Sequence, residues 1–334
     1  MKRRFLVGVT IFVVLSLFAV RNGLPAAPYY EGKTITIVVG FGPGGGYDRM
    51  SRMLAKHLPK HIPGKPTFVV ENMAGAGSII AANRIYNREK PNGFTIGSIN
   101  RGIPYAQLLK AEGVKFDLTK YGWIGSAGTE ATVLAIRTDL PYKSFEDLRK
   151  AKEVFLSVTG AAASDTQFTI LAKEFLGVNI KTVGYTDIPG AMLAIERKEV
   201  DGRSGTYSSL KQFIERGILR PVLRGRVAQP GIEHLPVNED FTADKSAKTI
   251  MAMQSYPDQM GRPFVVPPGT PAEVMKILRE AFAKVDNDPA FKEDCKRLLM
   301  DYDYVSPEEC LKVVNFILGQ PDDIVKEFSK YIKF

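Results

Sequence analysis

The residues best placed to do chemistry in this chain are glycines. Gly42, Gly44, Gly45 and Gly46, interrupted by Pro43, follow a β-branched run over residues 34–39 that reads as a buried strand. They precede an amphipathic stretch over residues 48–57, with Met50, Met53, Leu54 and His57 on one side of a helix. A strand, a loop of small residues and a helix start leave backbone N–H groups without intrahelical partners, and the helix dipole adds partial positive charge there. Such a loop is suited to hold an anion. Asn72-Met-Ala-Gly-Ala-Gly-Ser78 repeats the arrangement between a strand over residues 67–71 and a helix over residues 79–87, with Ser78 as a candidate cap. A third strand over residues 95–98 leads to Ile99-Asn100-Arg101. Adjacent units of this kind bring helix starts to one edge of a parallel sheet, where open α/β folds bind ligands.

Other chemistry finds less support. Gly40, Gly42 and Gly45 match G-x-G-x-x-G, and Glu71 stands where a dinucleotide fold keeps its ribose-binding acid, so an exported NAD(P)-dependent oxidoreductase is the alternative reading. Against it, Pro43 sits where the backbone would approach a pyrophosphate, the glycines run on to Gly46, and Asp48 adds a carboxylate at the helix start. No Gly-Lys-Ser/Thr follows, which excludes a P-loop. His57 and His61 are spaced i, i+4, but Pro59 between them breaks the helix that zinc ligation would need, and His234 stands alone. No nucleophile–histidine or metal-ligand constellation emerges, so neither metal nor cofactor is expected. Cys295 and Cys310 lie in two helical patterns, over residues 289–300 and 306–318. They are either a disulfide or two buried thiols; pairing is expected if the chain is exported.

The elements around these loops begin with an export signal. Lys2, Arg3 and Arg4 precede an apolar run over residues 5–20 and then small residues, which reads as a signal peptide over residues 1–26, cleaved after Ala26. No cysteine lies near that point to take a lipid anchor, so a periplasmic protein is expected. The first 26 residues hold four bases and no acid, so the formal charge of +9 falls to +5 without them. Bases and acids are interspersed, with no basic stripe for nucleic acid; the mild positive bias favours small anions. The strand–helix alternation restarts near Thr132, with strands over residues 132–136, 154–158, 181–183 and 200–204, each of the last three followed by a turn and a helix. This predicts an α/β fold of two similar lobes. One comprises residues 28–127 with 262–334, the other residues 129–261, the division resting also on the turn-rich residues 254–263.

Four segments in order, Phe41-Gly-Pro-Gly-Gly-Gly-Tyr-Asp48, Glu71-Asn-Met-Ala-Gly-Ala-Gly77, Pro91-Asn-Gly-Phe-Thr95 and Pro267-Pro-Gly-Thr-Pro271, resemble the Bug-type periplasmic solute receptors of tripartite tricarboxylate transporters. Gly160-Ala-Ala-Ala-Ser-Asp-Thr166, Gly184-Tyr185 and Glu199-Val-Asp-Gly-Arg203 resemble one branch of that family. The resemblance implies a two-lobed periplasmic binding protein of type II-like form, each lobe a mixed, mostly parallel sheet flanked by helices, closing on a small organic acid. It implies a non-enzymatic, monomeric receptor that hands its ligand to integral-membrane permease subunits. A carboxylate would lie between the two glycine loops, at Phe41, Gly42, Gly44, Gly45, Asn72, Ala76, Gly77 and Ser78, with Asn100 nearby. The second lobe would contribute Thr159, Ser164, Asp165, Thr166 and Tyr185, with Thr206 and Tyr207. Asp48 reads as a helix cap, because its charge would repel a carboxylate. Asp165 either caps its helix or accepts from the ligand. Arg101, near a loop mouth, either pairs a distal carboxylate or is a solvated surface side chain, and the second reading is preferred.

Overall fold

A computed structural model describes residues 27–161 and 163–332. The expected signal peptide lies outside the described residues. The first sheet begins with β1 (Thr34–Val39), followed by α1 (Gly46–His57), β2 (Thr67–Asn72), α2 (Ile79–Asn87), β3 (Thr95–Ser98), α3 (Ile103–Leu108) and β4 (Gly122–Ser126). The chain then crosses to a second sheet through β5 (Thr132–Arg137), α4 (Phe145–Leu148), β6 (Val154–Val158), α5 (Ser164–Phe175), β7 (Ile180–Gly184), α6 (Ile188–Glu196), β8 (Gly202–Thr206), α7 (Tyr207–Glu215) and β9 (Leu219–Arg224). After α8 (Lys245–Ser255), β10 (Pro263–Val266) re-enters the first sheet. Helices α9 (Ala272–Val285), α10 (Pro289–Arg297), α11 (Pro307–Leu318) and α12 (Asp322–Tyr331) follow.

Each sheet has five strands, ordered β2-β1-β3-β10-β4 and β7-β6-β8-β5-β9. In each, three strands run parallel and a fourth, β10 or β5, lies antiparallel to both its neighbours. The two layouts match strand for strand, and the antiparallel strand of each sheet is the one that enters from the crossing. This is the two-lobed α/β architecture expected, with mixed sheets flanked by helices.

Burial explains the strands. Ile35, Ile37, Val38 and Val39 are all buried, as in a parallel strand covered on both faces. Helix α1 turns Met50, Met53, Leu54 and His57 inward, and α9 and α10 add Phe282 and Phe291 to the same cluster. A second cluster runs continuously from Trp123 and Tyr105 to Leu134, Phe168 and Ile250, and so spans both sheets. The last helix touches both sides of it: Phe328 packs on Tyr105 with ring centroids 4.9 Å apart, and Tyr331 on Phe175 at 4.7 Å.

The crossing consists of two antiparallel segments. Ala127 N–H donates to the Arg262 carbonyl at 3.0 Å, and Glu130 N–H to the Asp258 carbonyl at 2.8 Å. Gly261 has φ of +48°, and a Cβ there would run into the Gly128 carbonyl, so the two segments touch backbone to backbone.

The expected disulfide is absent. Cys295 and Cys310 are free buried thiols that belong to different clusters, one beside Met53 with Sγ 3.9 Å from its Sδ, the other on α11. Each is an apolar core residue, and burial pushes each thiol up to about 12. Native protein at neutral pH should therefore resist alkylation by iodoacetamide, and unfolded protein without reductant should take up two labels by intact mass. One disulfide in place of those labels would contradict the structure.

Candidate functional site

Six strands release their loops toward one cavity of about 290 Å³ between the sheets, near the lower end for small-molecule sites, roughly 300 Å³. From the first sheet come the loops after β1, β2 and β3, and from the second those after β6, β7 and β8. These are the C-terminal ends of the parallel strands, where the next helix begins. Helix α1 starts at the cavity with Gly45 and Gly46, α5 with Ala163 and Ser164, and α7 with Thr206 as its N-cap residue. The short turn Ala76–Ser78 leads into α2. None of these four helices has a side-chain cap. Helix α6 differs: Asp187, also at the cavity, caps it by accepting from Gly190 N–H at 2.7 Å.

The first glycine loop is held from behind. Asp48 is buried and accepts from Gly44 N–H, Asn72 Nδ2 and Arg52 Nε at 2.9, 2.9 and 3.0 Å. Burial opposes its ionisation, but the hydrogen bonds from Arg52, Gly44 and Asn72 outweigh this and hold the carboxyl below the usual range. Asn72 also donates to the Phe41 carbonyl at 3.0 Å and so ties one glycine loop to the other. Ser78 Oγ accepts from Asn100 N–H at 3.2 Å, and a Cβ on Gly40 would run into it. Gly40 is thus a packing requirement between two loops.

The lobes meet across the cavity. A Cβ built on Gly45 would lie 3.2 Å from Ile188 Cδ1, and one on Gly44 3.3 Å from Pro189 Cγ. The start of α6 therefore rests against the first glycine loop. Glycines there let the lobes approach, in addition to exposing N–H groups.

Of the residues expected at the site, Phe41, Gly42, Gly45, Ala76, Gly77 and Asn100 line the cavity from the first sheet. Thr159, Ser164, Asp165, Tyr185 and Thr206 line it from the second. Gly44, Asn72, Ser78, Thr166 and Tyr207 are not brought to the wall. Asn72 and Ser78 brace the loops as described, Gly44 faces Pro189 and Asp48, Thr166 Oγ1 accepts from Thr159 N–H at 3.2 Å, and Tyr207 packs in a separate core toward Gly231. Asp165 does not cap α5, whose N-cap residue is Ala163. Its carboxylate takes a 2.7 Å bond from Arg203 Nη2 and one from Thr159 Oγ1 at 3.2 Å.

Arg101 departs from the expectation drawn from the sequence. Arg101 is not solvated: it is 3% exposed, donates from Nε to Asp258 at 2.6 Å and from Nη2 to Thr132 Oγ1 at 3.1 Å, and lines the cavity floor. Burial opposes its charge, and Asp258 more than compensates, raising its pKa. Arg203 and Arg262 are also buried and line the cavity. Arg262 pairs with Glu130. Asp258 and Glu130 are not among the residues that line the cavity. Nothing in the sequence placed Arg203 or Arg262 there, because β8 and the returning crossing reach the cavity only through the tertiary fold.

Residues 50–329 match the family model described as "Tripartite tricarboxylate transporter family receptor". A relative from Bordetella pertussis, named only as a UPF0065 protein, is 28% identical over 314 residues, 91% of this chain and 92% of its own length. The solved structure of periplasmic binding protein BugD superposes with a TM-score of 0.72 at 23% identity, covering 91% of this chain and 99% of its own. MatC from Rhodopseudomonas palustris with bound malate gives a TM-score of 0.71 at 18% identity, covering 88% and 99%.

The Asp48 brace has a signed pH dependence. Because its pKa is lowered on folding, its contribution is fully present above the unfolded value of about 3.9 and is lost as pH falls through the folded value. Asp48→Asn should cost about 1–3 kcal/mol in urea unfolding at neutral pH. The gap from the parent protein should narrow in acid below about pH 4. A gap that is constant across this range would contradict the role assigned to Asp48.

Proposed function

The chain belongs to the tripartite tricarboxylate transporter receptor family, a family of periplasmic solute receptors, and on that premise we propose that it captures a small organic acid as its carboxylate between two lobes. The lobes are residues 28–127 with 262–334 and residues 129–261. The mature chain is a periplasmic monomer, freed of its signal after Ala26, and it delivers the ligand to the membrane permease of such a transporter. The observation that carries this reading is the convergence of four helix starts without side-chain caps on one buried cavity. Their N–H groups and dipoles need an anion or water, and a carboxylate supplies acceptors in that geometry. The carboxylate lies between the loops after β1 and β2, held mainly by N–H groups near Gly42, Gly45, Ala76 and Gly77. MatC, named with malate, makes short dicarboxylates the first probes.

The dinucleotide alternative is disfavoured by packing. Ile188 and Pro189 lie against Gly45 and Gly44, on the glycine loop that a pyrophosphate would have to approach.

A thermal-shift screen of residues 27–334 against an organic-acid library, with NAD and NADP included, tests the reading. An acid at 100 times its dissociation constant should add about 2.7 kcal/mol. Stabilisation by NAD or NADP and by no acid would overturn it. With an acid in hand, Gly42→Val should weaken calorimetric binding roughly tenfold or more, by filling the approach to the N–H groups at a position without positive φ. Gly77→Val should also weaken binding, though Gly77 has φ of +57° and the variant carries backbone strain as well. Unchanged affinity in Gly42→Val would move the carboxylate away from the first loop.

A further inference from the structure

Arg262 stands where three parts of the molecule meet. Its backbone belongs to the returning crossing segment, immediately before β10. Its guanidinium pairs with Glu130 of the outgoing segment. Nη2 donates to Ser208 Oγ at 2.9 Å and Ser209 Oγ at 3.2 Å, with Thr206 Oγ1 at 3.4 Å, all in the first turn of α7 in the second lobe. From the first lobe, the Tyr47 ring of α1 lies 5.9 Å from its Cζ. A Cβ on Gly46, at the start of the same helix, would come within 2.8 Å of Nη2 and 3.3 Å of Nε. The side chain is 1% exposed, lines the cavity, and its Nε has no hydrogen-bond partner.

The other two buried arginines do not have this reach. Arg203 bonds to Asp165 and to the Ser204 carbonyl, both in the second sheet's lobe. Arg101 is committed to Asp258 and Thr132 at the crossing. Arg262 alone among the three joins the crossing to α7 while lying against the start of α1.

We propose that Arg262 is a positioning residue that couples capture to closure: it clamps the start of α7 against the start of α1, and so holds together the two helix starts between which the anion is captured. The anion half of this inference rests on the receptor reading; the clamp does not. Separating the lobes would pull α7 or α1 away from the guanidinium and leave a buried charge with fewer donors satisfied, which is costly in a dry site. An anion that bridges the starts of α1 and α7 adds charge-assisted bonds present only when the lobes are closed. Binding and closure then favour each other by linkage. Burial pulls Arg262 down to about 10, so the clamp stays charged at neutral pH.

The test reads lobe separation and affinity together. Spin labels at Val69→Cys and Phe155→Cys, both exposed and on strands of different sheets, report the distance between lobes by double electron–electron resonance, with the buried native thiols replaced by alanine. The variants are Arg262→Gln and the charge-balanced pair Glu130→Gln/Arg262→Gln, which avoids an uncompensated buried glutamate; malate is the probe. The parent should show a short-distance population that malate enlarges. In both variants that population should shrink, and malate affinity by calorimetry should fall roughly tenfold or more. A folded double variant with the parent's distance distribution and malate affinity would overturn the proposal. If neither malate nor any acid in the library binds the parent, the receptor reading fails, and a short-distance population lost in the double variant still establishes the clamp.

Discussion

The constraint on which this structure depends is the unmet hydrogen-bonding demand of helix starts. An α-helix leaves its first N–H groups without internal partners, and proteins ordinarily meet that demand with a capping side chain. Here α6, α10 and α11 do so, through Asp187, Asp288 and Ser306. Helices α1, α5 and α7 do not, and they begin at the cavity between the sheets, as does the turn Ala76–Ser78 that leads into the uncapped α2; α9 and α12 also start without a side-chain cap, away from it. Strand order places them there: in both sheets the parallel strands end on the cavity side, so each following helix points its positive end inward. Uncapped helix starts of this kind leave N–H groups that suit an anion or water at the cavity.

A second constraint lies at the crossing between the two sheets. The two lobes are joined by antiparallel segments whose backbones touch, and the charges around them are buried in pairs. Arg101 with Asp258 and Arg262 with Glu130 add little net stability, because desolvation offsets most of the attraction. Losing one partner would be strongly destabilising. Such pairs specify geometry, and they do so at the crossing between the two sheets. An apolar cluster also spans both sheets, and the aromatic contacts of α12 touch both sides of it.

Much of the fold was legible in the sequence because its signals are local. The β-branched run at residues 34–39 and the small-residue turns after it predict β1, the loop and α1, and the strands at residues 95–98 and 154–158 appear with those bounds. The short β4 and β9 were not anticipated: Gly122–Ser126 contains two glycines, and Leu219–Arg224 carries Pro221 and two arginines. The site was legible where backbone makes it. Loops of glycine and alanine point to their own function, and eleven of the sixteen expected residues reach the wall. It was illegible where tertiary contacts decide. Asn72 and Ser78 belong to the right loops but face inward as braces. Arg101, polar and near a loop mouth, is buried because Asp258 arrives from more than 150 positions away in the chain. Cys295 and Cys310 are close in sequence yet fill different cores, since the chain between them passes from one cluster to the other.

The central claim is that backbone N–H groups of the glycine loops receive a carboxylate. Amide chemical shifts of residues 27–334, labelled with nitrogen-15 and titrated with the acid that most stabilises the protein, test it most directly. Large proton shifts should concentrate at Gly42, Gly45, Ala76 and Gly77, with a second group at the starts of α5 and α7. Saturable binding that leaves the amides of both glycine loops unmoved would contradict the account.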